Sequence, residues 1–184
     1  LNLDNIEEIG SSQYGGGVFA NSGLRSINMP KLKAVYGDSN FYNCKNLEYV
    51  YSLGEITSLD CPNYYTGGQF DNCTALKEVV LPETLNILGY NTFIDCSELK
   101  SCNFPQALTT IKPLAFSGCV NLLYEGNLEL NNLTTLGYNA FMWCSLFSPN
   151  IKMNSLSSID TRVFNNTKIK SFEGINVTAF VGYD

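Results

Sequence analysis

The sequence predicts a β-rich solenoid of about seven coils, each of about 23 residues, with short strands and little helix. The frame Phe-x-x-Cys recurs along the chain, and an apolar-x-apolar step lies between its copies. Successive motif Phe residues are 22 to 29 residues apart. A coil of this length cannot bury its apolar residues alone, so the coils are expected to stack and share one core.

The Phe-x-x-Cys frame is interpreted as one short helical turn whose Phe and Cys side chains point inward. Equivalent residues of stacked coils lie in a row about 4.8 Å apart, whereas a zinc site needs thiolates converging on one ion at about 2.3 Å. The cysteines are therefore expected to form a buried core row instead of a metal site. The frame begins and ends at Phe19–Ser22, Phe41–Cys44, Phe70–Cys73, Phe93–Cys96, Phe116–Cys119, Phe141–Cys144 and Phe164–Thr167.

A second frame fills the interval between these turns. The step Val79-x-Leu81 has a period of two, which is typical of a short strand with one buried face. The following Leu-x-x-Leu step is expected to turn the chain around the core. Cys102 takes the strand position of Val79 in the next coil and is predicted to be core. Cys61 lies in a Tyr-rich insertion and is predicted to lie near solvent.

The combined pattern resembles the BspA-like (Treponema-type) class of the leucine-rich repeat family. The resemblance runs from Leu1 to about Phe172, and the second coil departs from it by an enlargement at residues 61–68. It implies a leucine-rich-repeat solenoid, a secreted or cell-surface location, and adhesion to extracellular-matrix or other cell-surface partners. The motif that carries it is Leu76-x-x-Val79-x-Leu81-Pro82-x-x-Leu85-x-x-Leu88-Gly89-x-x-x-Phe93-x-x-Cys96.

The composition narrows the possible functions. The chain has 0 His, which excludes Ser-His-Asp and Cys-His catalysis and every His-ligated zinc site. A net charge of −6 with only 11 basic residues argues against nucleic acid as a partner. No apolar run approaches the ~20 residues that a membrane helix needs. We therefore expect no enzyme activity, no cofactor, no metal and no transmembrane segment in this chain.

Two candidate contact surfaces follow from the pattern. Solenoids commonly bind through the strand residues that point away from the core. The Asn, Ser and Tyr on this face suit hydrogen bonding and stacking against a protein or a glycan. The second candidate is the loop carrying Tyr64 and Tyr65, because Tyr gives a large contact area at low entropy cost. The outward strand residues are Tyr49, Tyr51, Glu78, Val80, Ser101, Asn103, Asn127, Glu129 and Lys152.

The frame decays after Phe164, so residues 1–167 are predicted to be the solenoid and residues 168–184 a C-terminal cap that shields the last core layer. The chain opens at Leu1 directly in a strand frame with no apolar leader. The expected function is non-catalytic binding of a host or neighbouring macromolecule. The alternative is a structural spacer or assembly unit in a larger cell-envelope protein. The pattern leaves the ligand and the oligomeric state open.

Overall fold

The computed structural model describes residues 2–11, 15–61, 65–160 and 162–174. We number the coils one to seven by their motif Phe residues, so that coil one starts at Phe19 and coil seven at Phe164. The strands in chain order are β1 (Glu8–Ile9), β2 (Ser26–Asn28), β3 (Ala34–Val35), β4 (Tyr49–Ser52), β5 (Ser58–Leu59), β6 (Glu78–Val79), β7 (Ile87–Leu88), β8 (Ser101–Cys102), β9 (Thr110–Ile111), β10 (Asn127–Glu129), β11 (Thr135–Leu136), β12 (Asn150–Lys152) and β13 (Ser171–Glu173).

These strands form two parallel ladders, and the described residues contain no helix. The main ladder has two parts, β2-β4-β6-β8 and β10-β12-β13. The second ladder has the parts β1-β3 and β5-β7-β9-β11. Every coil thus contributes to a parallel β-solenoid of about seven turns, as the repeat predicted. The Leu-x-x-Leu step, expected only to turn the chain, forms the strands of the second ladder, because its last residue is buried and its backbone pairs with the next coil.

Stacked aromatic rings form the axis of the core. Each motif Phe packs on the Phe of the next coil, with ring centroids 4.9 to 5.6 Å apart along the whole series from Phe19 to Phe164. The rings lie within 22° of parallel. Because each coil supplies one ring to a continuous stack, no single coil has a complete core of its own.

The cysteine row is buried, as predicted, and all seven thiols of the described chain are free. The thiols also have a hydrogen-bonding role that the sequence did not indicate. The Sγ of Cys73, Cys96, Cys119 and Cys144 each donates to the carbonyl oxygen of the motif Phe one coil earlier, at 3.1 Å. Cysteine therefore fills a core position and gives a second hydrogen bond to a carbonyl that already accepts an amide of its own turn.

The prediction that the Phe-x-x-Cys frame forms a short helical turn is wrong. The Cys amide donates to the Phe carbonyl three residues earlier, as in a β-turn. The residue before the Cys-slot residue takes a left-handed conformation, with φ between 55° and 80° in every coil. This conformation costs most L-residues about 1–2 kcal/mol, and Asn, Asp and Gly tolerate it best. The position holds Asn21, Asn43, Asn72, Asp95, Gly118, Trp143 and Asn166.

The prediction that Cys61 lies near solvent is also wrong, since its exposed fraction is 0%. The residue lies two positions after the end of the second-ladder strand β5, so the chain has not yet left the core when it reaches this position. Burial raises the pKa of the Cys61 thiol to about 12, and the carboxylates of Asp38 and Asp60 add to the shift. Cys61 therefore belongs to the core.

The main ladder breaks between β8 and β10. In coil four, two residues lie between Leu99 and the strand residue Cys102, whereas in coil five the number between Leu122 and Leu128 is five. The three extra residues shift the register, so the ladder starts again at β10. Tyr124 lies in this insertion, and its ring packs on Phe104, with centroids 5.7 Å apart. An aromatic cluster thus fills the gap that the insertion opens.

Residues 168–174 of the predicted cap continue the main ladder through β13, which pairs with β12. Residues 175–184 lie outside the described residues. The boundary at residue 167 stays a prediction.

Candidate functional site

The outward face of the main ladder carries a stacked pair of tyrosines in coil two. The two residues flank the buried Val50 in β4, so both rings point away from the core. The rings of Tyr49 and Tyr51 lie 5.6 Å apart and within 5° of parallel. Tyr51 is 53% exposed. The Lys77 ammonium lies 5.8 Å from the Tyr49 ring centroid and pairs with Glu48. The pair is a fixed aromatic surface with a cation at one side.

The neighbouring outward residues of coils three and four divide into exposed and engaged side chains. Glu78, Val80 and Ser101 are exposed. Asn103 is half-buried, and its side-chain amide already forms hydrogen bonds within the protein. Its Oδ1 accepts from the Leu81 amide at 2.7 Å, and its Nδ2 donates to the Leu81 carbonyl at 2.8 Å. Asn103 thus extends the ladder where the strand has ended, which gives this predicted contact residue a structural task.

The outward residues of coils five to seven form a separate polar group beyond the break in the ladder. Asn150 Nδ2 donates to Asn127 Oδ1 at 3.1 Å. Lys152 lies opposite Glu129 in the ladder, and its ammonium lies 3.3 Å from the Glu173 carboxylate. These side chains line a shallow pocket of about 180 Å³. The predicted face therefore consists of two surfaces, one aromatic and one polar.

The loop of coil two presents Tyr65 to solvent with an exposed fraction of 91%. Tyr64 lies outside the described residues. Tyr65, Tyr42 and Asp71 line an open cleft of about 350 Å³. Burial raises the pKa of Asp71 to about 6, and the carboxylate of Asp95 in the next coil adds to the shift. The cleft is therefore an acidic, tyrosine-lined surface on a different side of the coil from the Tyr49–Tyr51 pair.

The described residues contain no metal-binding cluster, and most of their thiols are poor nucleophiles. The exception is Cys44, whose pKa is lowered to about 6, first by a hydrogen bond with the Cys73 thiol. No group of three or more Cys, Asp or Glu side chains among them could hold a metal ion. Burial raises the pKa of the Cys144 thiol to about 12 and that of Cys119 well above its ordinary value. A buried thiol with a raised pKa is a poor nucleophile at neutral pH. No helix that could cross a membrane occurs within the described part of the chain.

A group of exposed apolar side chains in coils five and six was missed in the sequence. These residues lie in and just after the Phe-x-x-Cys turns and belong to no strand. The sequence could have indicated this group, because the same frame positions hold mostly polar residues in coils two to four. The side chains and their exposed fractions are Val120 at 37%, Leu123 at 54%, Trp143 at 52% and Leu146 at 39%.

Comparisons with known proteins agree with this architecture. A model of the BspA type leucine rich repeat region matches the chain in 6 copies, over residues 3–66 and 63–183. The comparison with curated proteins found no match.

Two solved structures show the same fold. A leucine rich cell surface protein from Faecalibacterium prausnitzii A2-165 aligns with a TM-score of 0.55 and 20% identity, over 93% of this chain and 52% of that chain. A leucine-rich repeat protein from Bacteroides ovatus ATCC 8483 aligns with a TM-score of 0.52 and 20% identity, over 89% of this chain and 58% of that chain. The chain thus spans little more than half the length of each of these two proteins. Since the family model covers nearly the whole sequence, the chain belongs to the BspA-type leucine-rich repeat family.

Proposed function

We propose that this chain is a non-catalytic binding module of a secreted or cell-surface protein, and that it adheres to a protein or glycan of the extracellular matrix or a cell surface. The observation that carries this proposal is the exposed Tyr49–Tyr51 pair on the main ladder. The family supports a binding role, because stacked repeats form extended surfaces for partners. The description of the Faecalibacterium protein as a cell surface protein supports the location.

The Tyr49–Tyr51 pair suits recognition for physical reasons. Both rings are held parallel by the same short strand, so little side-chain freedom remains to be lost on binding. A partner can stack on the exposed ring of Tyr51 while its polar groups reach the hydroxyls of Ser26 and Ser101 or the carboxylate of Glu78. Asn103 keeps its bonds to Leu81 in this arrangement and supports the sheet beneath the contact.

The experiment is a saturation-binding panel on the purified, immobilised chain, with extracellular-matrix proteins and glycans as probes. The wild type is compared with Tyr49→Ser/Tyr51→Ser and with Tyr65→Ala, and Tyr138→Ala serves as a control tyrosine away from both surfaces. We expect saturable binding that the double variant weakens about tenfold or more, which corresponds to ~1.4 kcal/mol. Circular dichroism establishes that each variant is folded.

Other results would change the proposal in defined ways. Binding that only Tyr65→Ala weakens would move the contact to the acidic cleft of coil two. Binding that all three variants retain would exclude both surfaces. No binding to any probe, together with concentration-dependent self-association in sedimentation, would favour the structural spacer or assembly unit.

A further inference from the structure

Trp143 occupies a backbone position that its residue type disfavours. It lies in the left-handed position of the coil-six turn, with φ of 65°. The six equivalent positions of the other coils hold only Asn, Asp or Gly, the residue types that tolerate this conformation. Trp143 is the chain's single tryptophan and is 52% exposed, so core packing does not account for it. A strained residue with an exposed aromatic ring is a feature of functional surfaces.

The indole lies in an apolar group that spans two coils. Val120, Leu123 and Leu146 join Trp143 to form what we call the tryptophan patch. Coils five and six are in register here, because Ser145, between Trp143 and Leu146, donates its hydroxyl to the Val120 carbonyl at 3.0 Å. At the turn position of coil five, the Gly118 amide donates to the Met142 carbonyl of coil six at 2.9 Å. Because this residue is glycine, no side chain lies beside the indole on that side. Four exposed apolar side chains thus lie on neighbouring turns.

The edge of the solenoid on which the patch lies holds more basic than acidic residues, although the protein as a whole is acidic. The segments that link each Phe-x-x-Cys turn to the next main strand are residues 22–25, 44–48, 73–77, 96–100, 119–126, 144–149 and 167–170, and we call them the lysine edge. They hold six of the 11 basic residues and only three of the 17 acidic residues. The basic residues are Arg25, Lys45, Lys77, Lys100, Lys168 and Lys170.

Lysines lie on both sides of the patch along this edge. The amide of Leu123 donates to the carbonyl of Lys100 at 3.1 Å, so these residues are neighbours on adjacent coils. On the other side, the amide of Lys168 donates to the carbonyl of Phe147 at 2.9 Å, next to Leu146. Lys100, Lys168 and Lys170 form no ion pair within the described part of the chain. Within the lysine edge of coils four to seven, these three lysines face two carboxylates, Glu98 and Glu125, and the carboxylate of Asp95 lies outside the edge, at the turn of coil four.

We propose that the tryptophan patch is a second docking surface, whose partner is an acidic protein segment that presents apolar side chains. Burial of the indole and its three aliphatic neighbours supplies the attraction, and a Trp at the centre of such a patch is a common anchor. The lysines on both sides, which form no ion pair with other described residues, select a partner with Asp or Glu beside its apolar residues. The surface is separate from the Tyr49–Tyr51 pair, so this inference does not depend on the proposed function.

The first experiment asks whether Trp143 serves stability. Trp143→Asn places at this position the residue type found in four of the six equivalent turns. We expect the melting temperature of the variant to equal that of the wild type or to exceed it by up to about 3 °C, since strain is relieved. A fall of more than about 4 °C would show that the indole is needed for folding and would overturn the proposal.

The second experiment identifies the partner chemistry. Random linear peptides displayed on phage are selected on the immobilised chain, and enriched peptides are synthesised for affinity measurement. We expect sequences that combine Asp or Glu with Trp, Phe or Leu. Trp143→Asn/Leu146→Ser should weaken their binding about tenfold or more. Tyr36→Ala, at an exposed tyrosine of coil one that belongs to neither proposed surface, should leave it unchanged.

A charge-reversal pair tests the role of the lysines. Lys168→Glu should weaken peptide binding, and Lys31→Glu, an equal charge change on another side of the coil, should not. Three results would each overturn the proposal. They are enrichment of basic peptides, no enrichment of any peptide, and peptide binding that Trp143→Asn/Leu146→Ser does not affect. Sedimentation of the wild type is the last arm. A dimer that Trp143→Asn dissociates would overturn it as well, because a second copy of the chain would then cover the patch.

Discussion

Coils two to four share one frame with coils five and six. The two groups differ in the number of residues that connect the Phe-x-x-Cys turn to the main strand. In the first group, two residues connect the buried Leu47, Leu76 or Leu99 to the buried strand residue that follows. In the second group, the connection lengthens to five residues in coil five and three in coil six. Together with coil one, the regular coils form a four-stranded sheet, whereas the sheet breaks at the longest connection, in coil five, and coils five and six carry exposed apolar side chains. The core row tolerates these insertions, and the outer surface changes with them.

The strongest test of the shared frame is removal of one ring from the Phe stack. Phe93 is fully buried between Phe70 and Phe116, with ring centroids 5.3 and 5.2 Å away. Phe93→Ala should lower the free energy of unfolding by about 3–5 kcal/mol, because it leaves a cavity in the axis of the core. Phe93→Leu, which keeps most of the volume, should cost less than about 2 kcal/mol. Urea unfolding measures both, and equal costs would contradict the stacked-ring account.

The aromatic cluster at the break can be tested by a pair of tyrosine variants. Tyr124 is half-buried against Phe104 and Phe147, at centroid distances of 5.7 and 6.1 Å, whereas Tyr51 is largely exposed. Tyr124→Ala should lower the free energy of unfolding by about 2 kcal/mol. Tyr51→Ala should change it by no more than about 0.5 kcal/mol. A small effect at Tyr124 would mean that the insertion is not held by its aromatic contacts.

The cysteine row should behave alike in both groups of coils. The thiols of Cys96 and Cys144 are buried and donate at 3.1 Å to equivalent carbonyls. Replacement of either by Ala leaves a small cavity and removes one of the two donors to a buried carbonyl oxygen, and should cost about 1–2 kcal/mol. The two costs should agree within about 0.5 kcal/mol in urea unfolding. A much smaller cost at Cys144 would show that the longer connections loosen the core as well as the surface.

The smallest expected change in stability concerns Asp71, whose frame position holds an acidic residue only in coil three. Asp71 has a folded-state pKa of about 6, raised by burial and then by Asp95. The folded protein therefore holds the proton more tightly than the unfolded chain, so Asp71 destabilises the fold at pH 7, and this penalty disappears as the pH falls to about 4. Asp71→Asn should raise stability at pH 7 by about 1 kcal/mol, since solvent screens part of the penalty.

The control for this pH effect is Glu129→Gln, which changes an exposed carboxylate of coil five. Thermal melting at pH 4 and pH 7 should show the stabilisation by Asp71→Asn only at the higher pH. Equal effects at both pH values would mean that the Asp71 carboxyl is not perturbed by its surroundings.

The repeat made most of the fold predictable, because every core position recurs at a fixed place in the frame. Val79 and Cys102 were assigned to the core from their strand position alone, and both are buried. The second ladder was less visible, since a Leu-x-x-Leu step does not have the period of a strand. The recurring Asn at positions such as Asn21, Asn43 and Asn72 indicates a left-handed turn position. It was not recognised, because only the Phe and Cys of the frame were interpreted.

The surfaces were only partly predictable, because exposure alternates reliably along a strand but not along a turn. Tyr49 and Tyr51 were found from the alternation, whereas their mutual stacking depends on side-chain rotamers. Trp143 was missed because it lies within the Phe-x-x-Cys frame, where only the first and last residues were interpreted. The engagement of Asn103 with Leu81 depends on where the neighbouring strand ends, which no local pattern reports.

Hydroxyl-radical footprinting with a probe captured in the binding panel tests the central claim most directly, since it measures the solvent access of every tyrosine and the tryptophan at once. The account predicts that the probe protects Tyr51 and Tyr49, while the oxidation rates of Tyr65 and Trp143 stay the same. Protection confined to Tyr65 or Trp143, or no change at any aromatic side chain, would contradict the claim that the outward face of the main ladder is the binding surface.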